Sequence, residues 1–290
     1  MSDPTSLARR RFLKRAGAGA AAAAVASTPA LSQPASCARD AKRNPHHYEE
    51  LLPDEFYEEQ KRAPIAYFAT GAMEEHGLHL AQGTDLYVAY ETCLRAAEIA
   101  GGIVFPPVPF AIAYAPPGAS RAELRSKAKE LYAPSLWISG ELCRQLYVEL
   151  LESLADLGFK ACIAFGGHGP ADSLLQQIEK EMDGRVGAMR FWGGGTVRIL
   201  KDWLAAEGKK RPEILGHGTM WETSLVMAIR PNWVDLPRAQ RIEQSPRPSQ
   251  LKKATKKRTE AIAQANAELG RQQIELAAQR VAQIARDLLK

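Results

Sequence analysis

The alternation of apolar and polar positions predicts short buried strands separated by longer amphipathic helices. Residues 64–72 form an apolar run that reads as a strand, and 86–100 carry a helical pattern. Ile103, Val104 and Phe105 predict a second strand, ended by Pro106, Pro107 and Pro109. Ala115-Pro116-Pro117-Gly118 signals a turn, and a charged stretch over 121–130 follows. Residues 136–157 have helical periodicity, with Leu142, Leu146, Leu150 and Leu154 every four residues and Gly158 as the C-cap. Next come a strand at 161–165, a helix at 171–182, a strand at 186–192 and a helix at 197–207. The run Gly193-Gly194-Gly195 lacks the Lys-Ser/Thr ending of a nucleotide loop and reads as a pocket loop or a turn. A helix over 222–229 stops at Arg230-Pro231. Residues 250–290 place Ile262, Leu269, Leu276 and Ile284 on one face. They predict one or two helices, broken at Gly270, that pack on the sheet or on a neighbouring subunit. The whole alternation implies an α/β fold: a single domain with a mainly parallel sheet and helices on both faces.

Between the first strand and the first helix lies the densest chemistry in the chain. Residues 71–85 hold Glu74, His76, His79 and Asp85, spaced by Gly71, Gly77 and Gly83. Ligands gather outside the carboxyl ends of strands in such folds. Carboxylates and imidazoles are the usual ligands of divalent zinc, manganese and iron. Glu74 and His76 are two residues apart, so an extended backbone sends both side chains the same way. Asp85 is placed to cap the helix, to bridge two metals, or both. Two further segments repeat the theme: Gly166-Gly167-His168-Gly169-Pro170 at a strand end, and Gly216-His217-Gly218 with Glu222 at a helix start. Of six histidines, only His46 and His47 fall outside these segments.

These three motifs resemble those of the creatininase family of metal-dependent amidohydrolases. The family's first motif reads Glu-x-His-Gly-x-His-Leu-Pro, then Thr-Asp after a short gap. Here Glu74, His76, Gly77, His79 and Leu80 match, Ala81 replaces the proline, and Thr84-Asp85 falls at the right distance. The second motif, usually Asn-Gly-His-Gly-Gly-Asn, is Gly166 to Ala171 here, without either asparagine. The third, usually His-Ala-Gly-x-x-Glu-Thr-Ser, keeps His217, Glu222, Thr223 and Ser224. The resemblance spans residues 48–236. It implies two divalent metal ions (Zn, Mn or Fe). Glu74, Asp85 and His168 would hold one. His76, Asp85 and a further carboxylate would hold the other. Pro170 occupies the place where creatininases proper carry that carboxylate, and Glu222 is the substitute. His217 would be the proton shuttle, and the reaction would be hydrolysis of a C–N bond in a small-molecule amide by a metal-activated water. Glu75 is expected to point away from the metals. Trp192 and Trp221 are candidates either for stacking on a flat substrate or for the core. Family members carry a Phe-Pro-Gly-Thr segment near the pocket, where this chain has Leu131-Tyr132-Ala133-Pro134-Ser135. That departure, with the altered second motif, favours another cyclic or linear amide over creatinine. A deformylase or small-peptide hydrolase, and a catalytically inactive binding protein on the same fold, remain alternatives.

The N-terminus reads differently. Ala8-Arg9-Arg10-Arg11-Phe12-Leu13-Lys14 resembles a twin-arginine export signal, followed by an Ala/Gly-rich stretch at 16–25 and small residues near 27–32. Residues 1–32 are thus expected to be a cleaved signal, 33–47 a linker and 48–290 the catalytic domain. The expected location is periplasmic or secreted, with no stable membrane anchor after cleavage and the export machinery as a partner. The chain carries 38 Lys+Arg against 33 Asp+Glu, but the signal holds five and one of these, leaving 33 against 32. This near-neutral balance argues against nucleic-acid binding. The cluster Lys252, Lys253, Lys256, Lys257 and Arg258 reads as a solvated helix face. Cys93, Cys143 and Cys162 lack metal-site spacing and read as buried thiols, with one disulfide the alternative; Cys37 lies in a poor lipoprotein context. A homo-oligomer is expected from the resemblance.

Overall fold

In a computed structural model, which describes residues 44–127, 134–241 and 256–290, the first apolar run becomes β1 (Ile65–Thr70), every residue buried. It is flanked by β2 (Ile103–Val108) and β3 (Ala161–Gly166) in a five-stranded sheet. β4 (Arg185–Val186) and β5 (Met189–Gly195) complete it in the order β2-β1-β3-β5-β4. All pairs are parallel except β4 with β5.

Successive side chains of each strand enter opposite faces. Tyr67, Ile163, Phe165 and Trp192 join one apolar cluster, and Phe68, Cys162, Ala164 and Phe191 join the other. The first face is covered by α2 (Thr84–Ala100), α8 (Met220–Ile229) and α11 (Ala267–Leu288). The second is covered by α1 (Pro53–Arg62), α4 (Gly140–Asp156) and α5 (Gly169–Glu181). The expected single α/β domain with helices on both faces is what forms. The smaller helices are α3 (Arg121–Ser126), α6 (Thr196–Ile199), α7 (Lys201–Lys210), α9 (Leu236–Ala239) and α10 (Lys256–Ile262). Among the described residues no helix is long and apolar enough to cross a membrane. The signal and most of the linker, Cys37, residues 131–133, Lys252 and Lys253 lie outside the described residues.

Several local expectations are corrected. β2 does not stop at its prolines but runs through Pro106 and Pro107 to Val108. It is an edge strand, where the missing N–H groups of proline break no ladder. The buried stripe of α4 is Cys143, Tyr147, Leu151 and Leu154, and Leu142 is exposed. The leucine repeat was the more regular pattern, but the sheet receives the stripe led by Tyr147, whose hydroxyl pairs with Thr70 Oγ1 at 2.6 Å. The strand over 186–192 is a hairpin, β4 to β5, turning at Gly187 with φ 55°. Gly193 to Gly195 are strand residues paired with β3, not a loop. The helix over 197–207 is divided at Leu200 into α6 and α7.

Gly270 does not break α11. A Cβ there would lie 1.9 Å from the Ser224 carbonyl oxygen, so the missing side chain lets α11 press against α8. The face of α11 that enters the core carries Ile274, Ala277, Ala278, Val281, Ala282 and Ala285. Leu269, Leu276 and Ile284 sit at its edges, half-buried. Small residues in the centre allow close helix packing, which the larger side chains would prevent. Cys93, Cys143 and Cys162 are buried free thiols.

Candidate metal centre

The candidate site lies where β1 and β3 end and three helices begin. After β1 the chain forms an irregular loop, pinned at several points. Glu74 N–H donates to Gln82 O at 3.0 Å. Leu136 N–H donates to Met73 O at 2.8 Å, and Asp235 N–H to His79 O at 2.9 Å. Glu75 N–H donates to Ser135 Oγ at 2.9 Å. With its backbone polar groups so satisfied, the loop can be buried, and Glu74 and His76 are only 2% and 1% exposed.

Asp85 stands in the first turn of α2, His168 at the N-cap of α5, and Glu222 in the first turn of α8. Helix N-termini favour carboxylates, and the Gly218 N–H donates to Glu222 Oε2. His76 Nε2 lies 3.0 Å from Asp85 Oδ1 and 3.6 Å from Glu222 Oε2. His168 Nδ1 lies 3.1 Å from Asp85 Oδ2 and 3.2 Å from Glu74 Oε2. The His217 ring stacks on that of His76 with centroids 4.1 Å apart, and its Nδ1 lies 3.8 Å from Glu74 Oε2. Three overlapping groups have ligand atoms within 4.8 Å of one another: Glu74–Asp85–His168, His76–Asp85–Glu222 and Glu74–His76–His217. The fold therefore brings together the ligands that the resemblance implies, from three segments up to 148 residues apart in number, Glu74 to Glu222.

The donor set fits a divalent cation. Buried Glu74 Oε2 lies near two ring nitrogens, yet accepts no hydrogen bond of proper geometry from either. An unpaired buried carboxylate oxygen is costly unless a cation meets it. Each imidazole also has its outward nitrogen tied down. His76 Nδ1–H donates to Glu74 O at 3.1 Å and His168 Nε2–H to Ile112 O at 3.1 Å. Since a carbonyl only accepts, it fixes the tautomer of the neutral ring, in which the opposite nitrogen carries the lone pair that a metal needs.

The electrostatics follow from the same packing. Burial opposes charge on His76 and His168. The carboxylates beside them outweigh it, holding His76 well above the usual imidazole value and His168 up at about 9. Burial raises and the two rings lower Asp85, with the rings prevailing. Burial pushes the Glu222 carboxyl up.

His79 belongs to none of the three groups. It is buried, with Nε2 bonded to Thr223 Oγ1 at 3.0 Å, and burial lowers it to about 4. Its work is to tie the first motif to α8. Glu75 is also outside the ligand groups, its Oε1 accepting from Gly77 N–H at 2.8 Å. Pro170 lies in the first turn of α5 and Ala171 packs in a small cluster with Trp137. Trp192 and Trp221 both belong to the core cluster, and Arg198 lies 4.8 Å over the Trp192 ring. The aromatic that does stand at the site is Trp137, its ring 5.5 Å from that of His168 and its indole nitrogen buried without a partner. No periodicity marked it. Its only signal was its place just after the segment that departs from the family pattern.

Comparisons with known proteins bear on the fold and the family. A creatinine amidohydrolase of Pseudomonas putida is 23% identical over 184 residues, 60% of this chain and 67% of its own. A mutant creatininase of the Zn–Zn type superposes with a TM-score of 0.58 at 20% identity, covering 83% of this chain and 97% of its own. A manganese creatininase gives 0.60 at 21%, over the same shares. The family model described as creatinine amidohydrolase matches residues 49–285. With that match over most of its length, the chain belongs to the creatininase family.

Proposed function

We propose that this protein is a metal-dependent hydrolase that cuts a C–N bond in a small cyclic or linear amide. The observation that carries the reading is Asp85, whose two oxygens face two different histidines and which belongs to two of the three ligand groups. A shared carboxylate is what a two-metal site requires. Glu74, Asp85 and His168 would hold one ion, and His76, Asp85 and Glu222 the other. Divalent ions held there would supply Lewis acidity and a water of lowered pKa. The chain's own residues do the rest. Glu74 and Asp85 supply the negative charge, in a buried setting that keeps bulk water out. His217 is held by donation of its Nε2–H to the Glu75 carbonyl, which leaves Nδ1, directed at Glu74, as the atom that hands a proton to the leaving nitrogen. Glu222 sits beside it as ligand and as the neighbouring charge.

By the resemblance, Pro170 and Ala171 stand where creatininases carry a carboxylate and an asparagine, which supports an amide other than creatinine. Metal-loaded protein is expected to hydrolyse at least one member of a panel of cyclic imides, lactams, formamides and dipeptides, with loss of activity on chelation. A loaded protein inert to the whole panel would instead support the non-catalytic binding reading. We further propose, from the N-terminal sequence, export by the twin-arginine route to the periplasm, and homo-oligomerisation.

The histidine environment predicts a proton count. His76 and His168 are both raised above the ordinary imidazole value, and His168, held up at about 9, carries its charge at pH 7 without metal. Binding requires the neutral rings, so it must release protons, and affinity must rise with pH up to about 9, where His168 loses its own proton. Calorimetric metal titrations in two buffers of different ionisation enthalpy should show one to two protons released per chain at pH 7, on the order of one per charged imidazole. Heats identical in the two buffers would refute it.

A further inference from the structure

Three imidazoles converge on the centre, and all three are anchored in the same way. His76 spends Nδ1 on the Glu74 carbonyl and turns Nε2 to Asp85 at 3.0 Å. His168 spends Nε2 on the Ile112 carbonyl and turns Nδ1 to Asp85 at 3.1 Å. His217 spends Nε2 on the Glu75 carbonyl and turns Nδ1 to Glu74 at 3.8 Å. A carbonyl on the outer nitrogen with the inner nitrogen facing carboxylates is the arrangement that surrounds metal-ligating histidines. A residue required only to carry protons does not need to enter a ligand group, yet His217 forms one with Glu74 and His76, all donor atoms within 4.8 Å. The near-parallel stack with His76, 28° between planes, puts the two rings side by side at one edge of the centre. The group His76–Asp85–Glu222 offers three donors, two of which recur in the other groups, Asp85 with Glu74 and His168 and His76 with Glu74 and His217. A tetrahedral ion needs a fourth ligand.

We propose that His217 Nδ1 is itself a metal ligand in the substrate-free protein, and that it gives up this position when substrate enters and it is needed to carry a proton. The proposal rests on the metal centre above and names a double use for one atom. It implies a divalent ion that accepts imidazole readily, such as zinc or iron, and a centre whose coordination differs between resting and occupied states.

The test is a cobalt(II) titration of metal-stripped protein, read by visible absorption and by bound metal per chain. The parent, His217→Ala and His79→Gln are compared, the last as a buried histidine outside all three groups. In His217→Ala one of the two binding steps should weaken by at least roughly the 10–100-fold lost with an outer-sphere partner, with an altered visible spectrum for that step. His79→Gln should keep both steps. His217→Gln replaces the alanine variant if that one does not fold by circular dichroism. A His217 variant that titrates like the parent, with the same spectrum, overturns the proposal and leaves His217 as a proton carrier alone. Equal losses in His79→Gln would also overturn it, by assigning the effect to general disturbance. A parent that binds no cobalt would remove the metal centre itself, a different outcome from either.

Discussion

Asp85→Ala is expected to empty both halves of the centre at once. Among the grouped residues, Asp85 is one of three that appear twice, with Glu74 and His76, and it alone presents each of its oxygens to a different histidine. Loss of Glu222 would leave Glu74–Asp85–His168 whole, whereas loss of Asp85 breaks both groups that contain it. Bound metal should fall from near two per chain in the parent to well under one. The fall in kcat/KM should exceed the roughly 10²–10³ that removal of one transition-state hydrogen-bond donor costs. The metal-free protein should weaken too. Asp85 is depressed in the fold, after its two histidines overcome the effect of burial. A depressed carboxyl stabilises the fold above its unfolded pKa, near 4, and that contribution fades as pH falls through the folded value. The alanine variant should therefore be less stable than the parent at pH 7, and the gap should narrow in acid. Elemental analysis and urea unfolding at two pH values check both statements. Retention of two metals by the variant would remove Asp85 from the centre.

Gly167→Ala is expected to damage the site without touching a ligand. A Cβ on Gly167 would lie 1.9 Å from the Asp85 carbonyl oxygen and 3.1 Å from the Ala89 Cβ. The residue is wedged between the end of β1, where its N–H donates to Thr70 O at 2.8 Å, and the first turn of α2. Only a hydrogen fits there. To accept a methyl group, α2 must move away from β3 by about an ångström, and Asp85 moves with it away from His168. Overpacking of this kind costs typically 1–3 kcal/mol, and a displacement of about 1 Å at a reacting centre can cost about 10²-fold in rate. The variant should unfold at lower urea and bind metal more weakly, with the Asp85–His168 pairing the first thing lost. Parent-like stability together with parent-like metal affinity would show that α2 and β3 do not approach so closely.

Much of this molecule was legible along the chain, and for physical reasons. Strands buried on both faces must be apolar at every position, so 64–72 and 161–165 announced β1 and β3. Side chains that chelate cannot be spread at random, so Glu74, His76, His79, Asp85, His168, His217 and Glu222 were singled out by type and by their glycine-flanked places at strand and helix ends, and only the family resemblance left His79 outside the ligand set. What the chain did not reveal depended on neighbours distant in sequence. Whether Pro106 and Pro107 end a strand depends on its being at the sheet edge. Whether Leu142 or Tyr147 faces inward depends on which stripe the sheet accepts. Gly270 reads as a break until α8 is seen against it, and Gly193 to Gly195 read as a loop until β3 pairs with them. The site follows the same division. Local sequence determined which groups were available to bind metal. Tertiary structure alone decided that Asp85 stands between two imidazoles, that carbonyls of Glu74, Glu75 and Ile112 aim those rings, and that Trp137 stands beside His168. Those are distances between segments, and a linear pattern carries no distances.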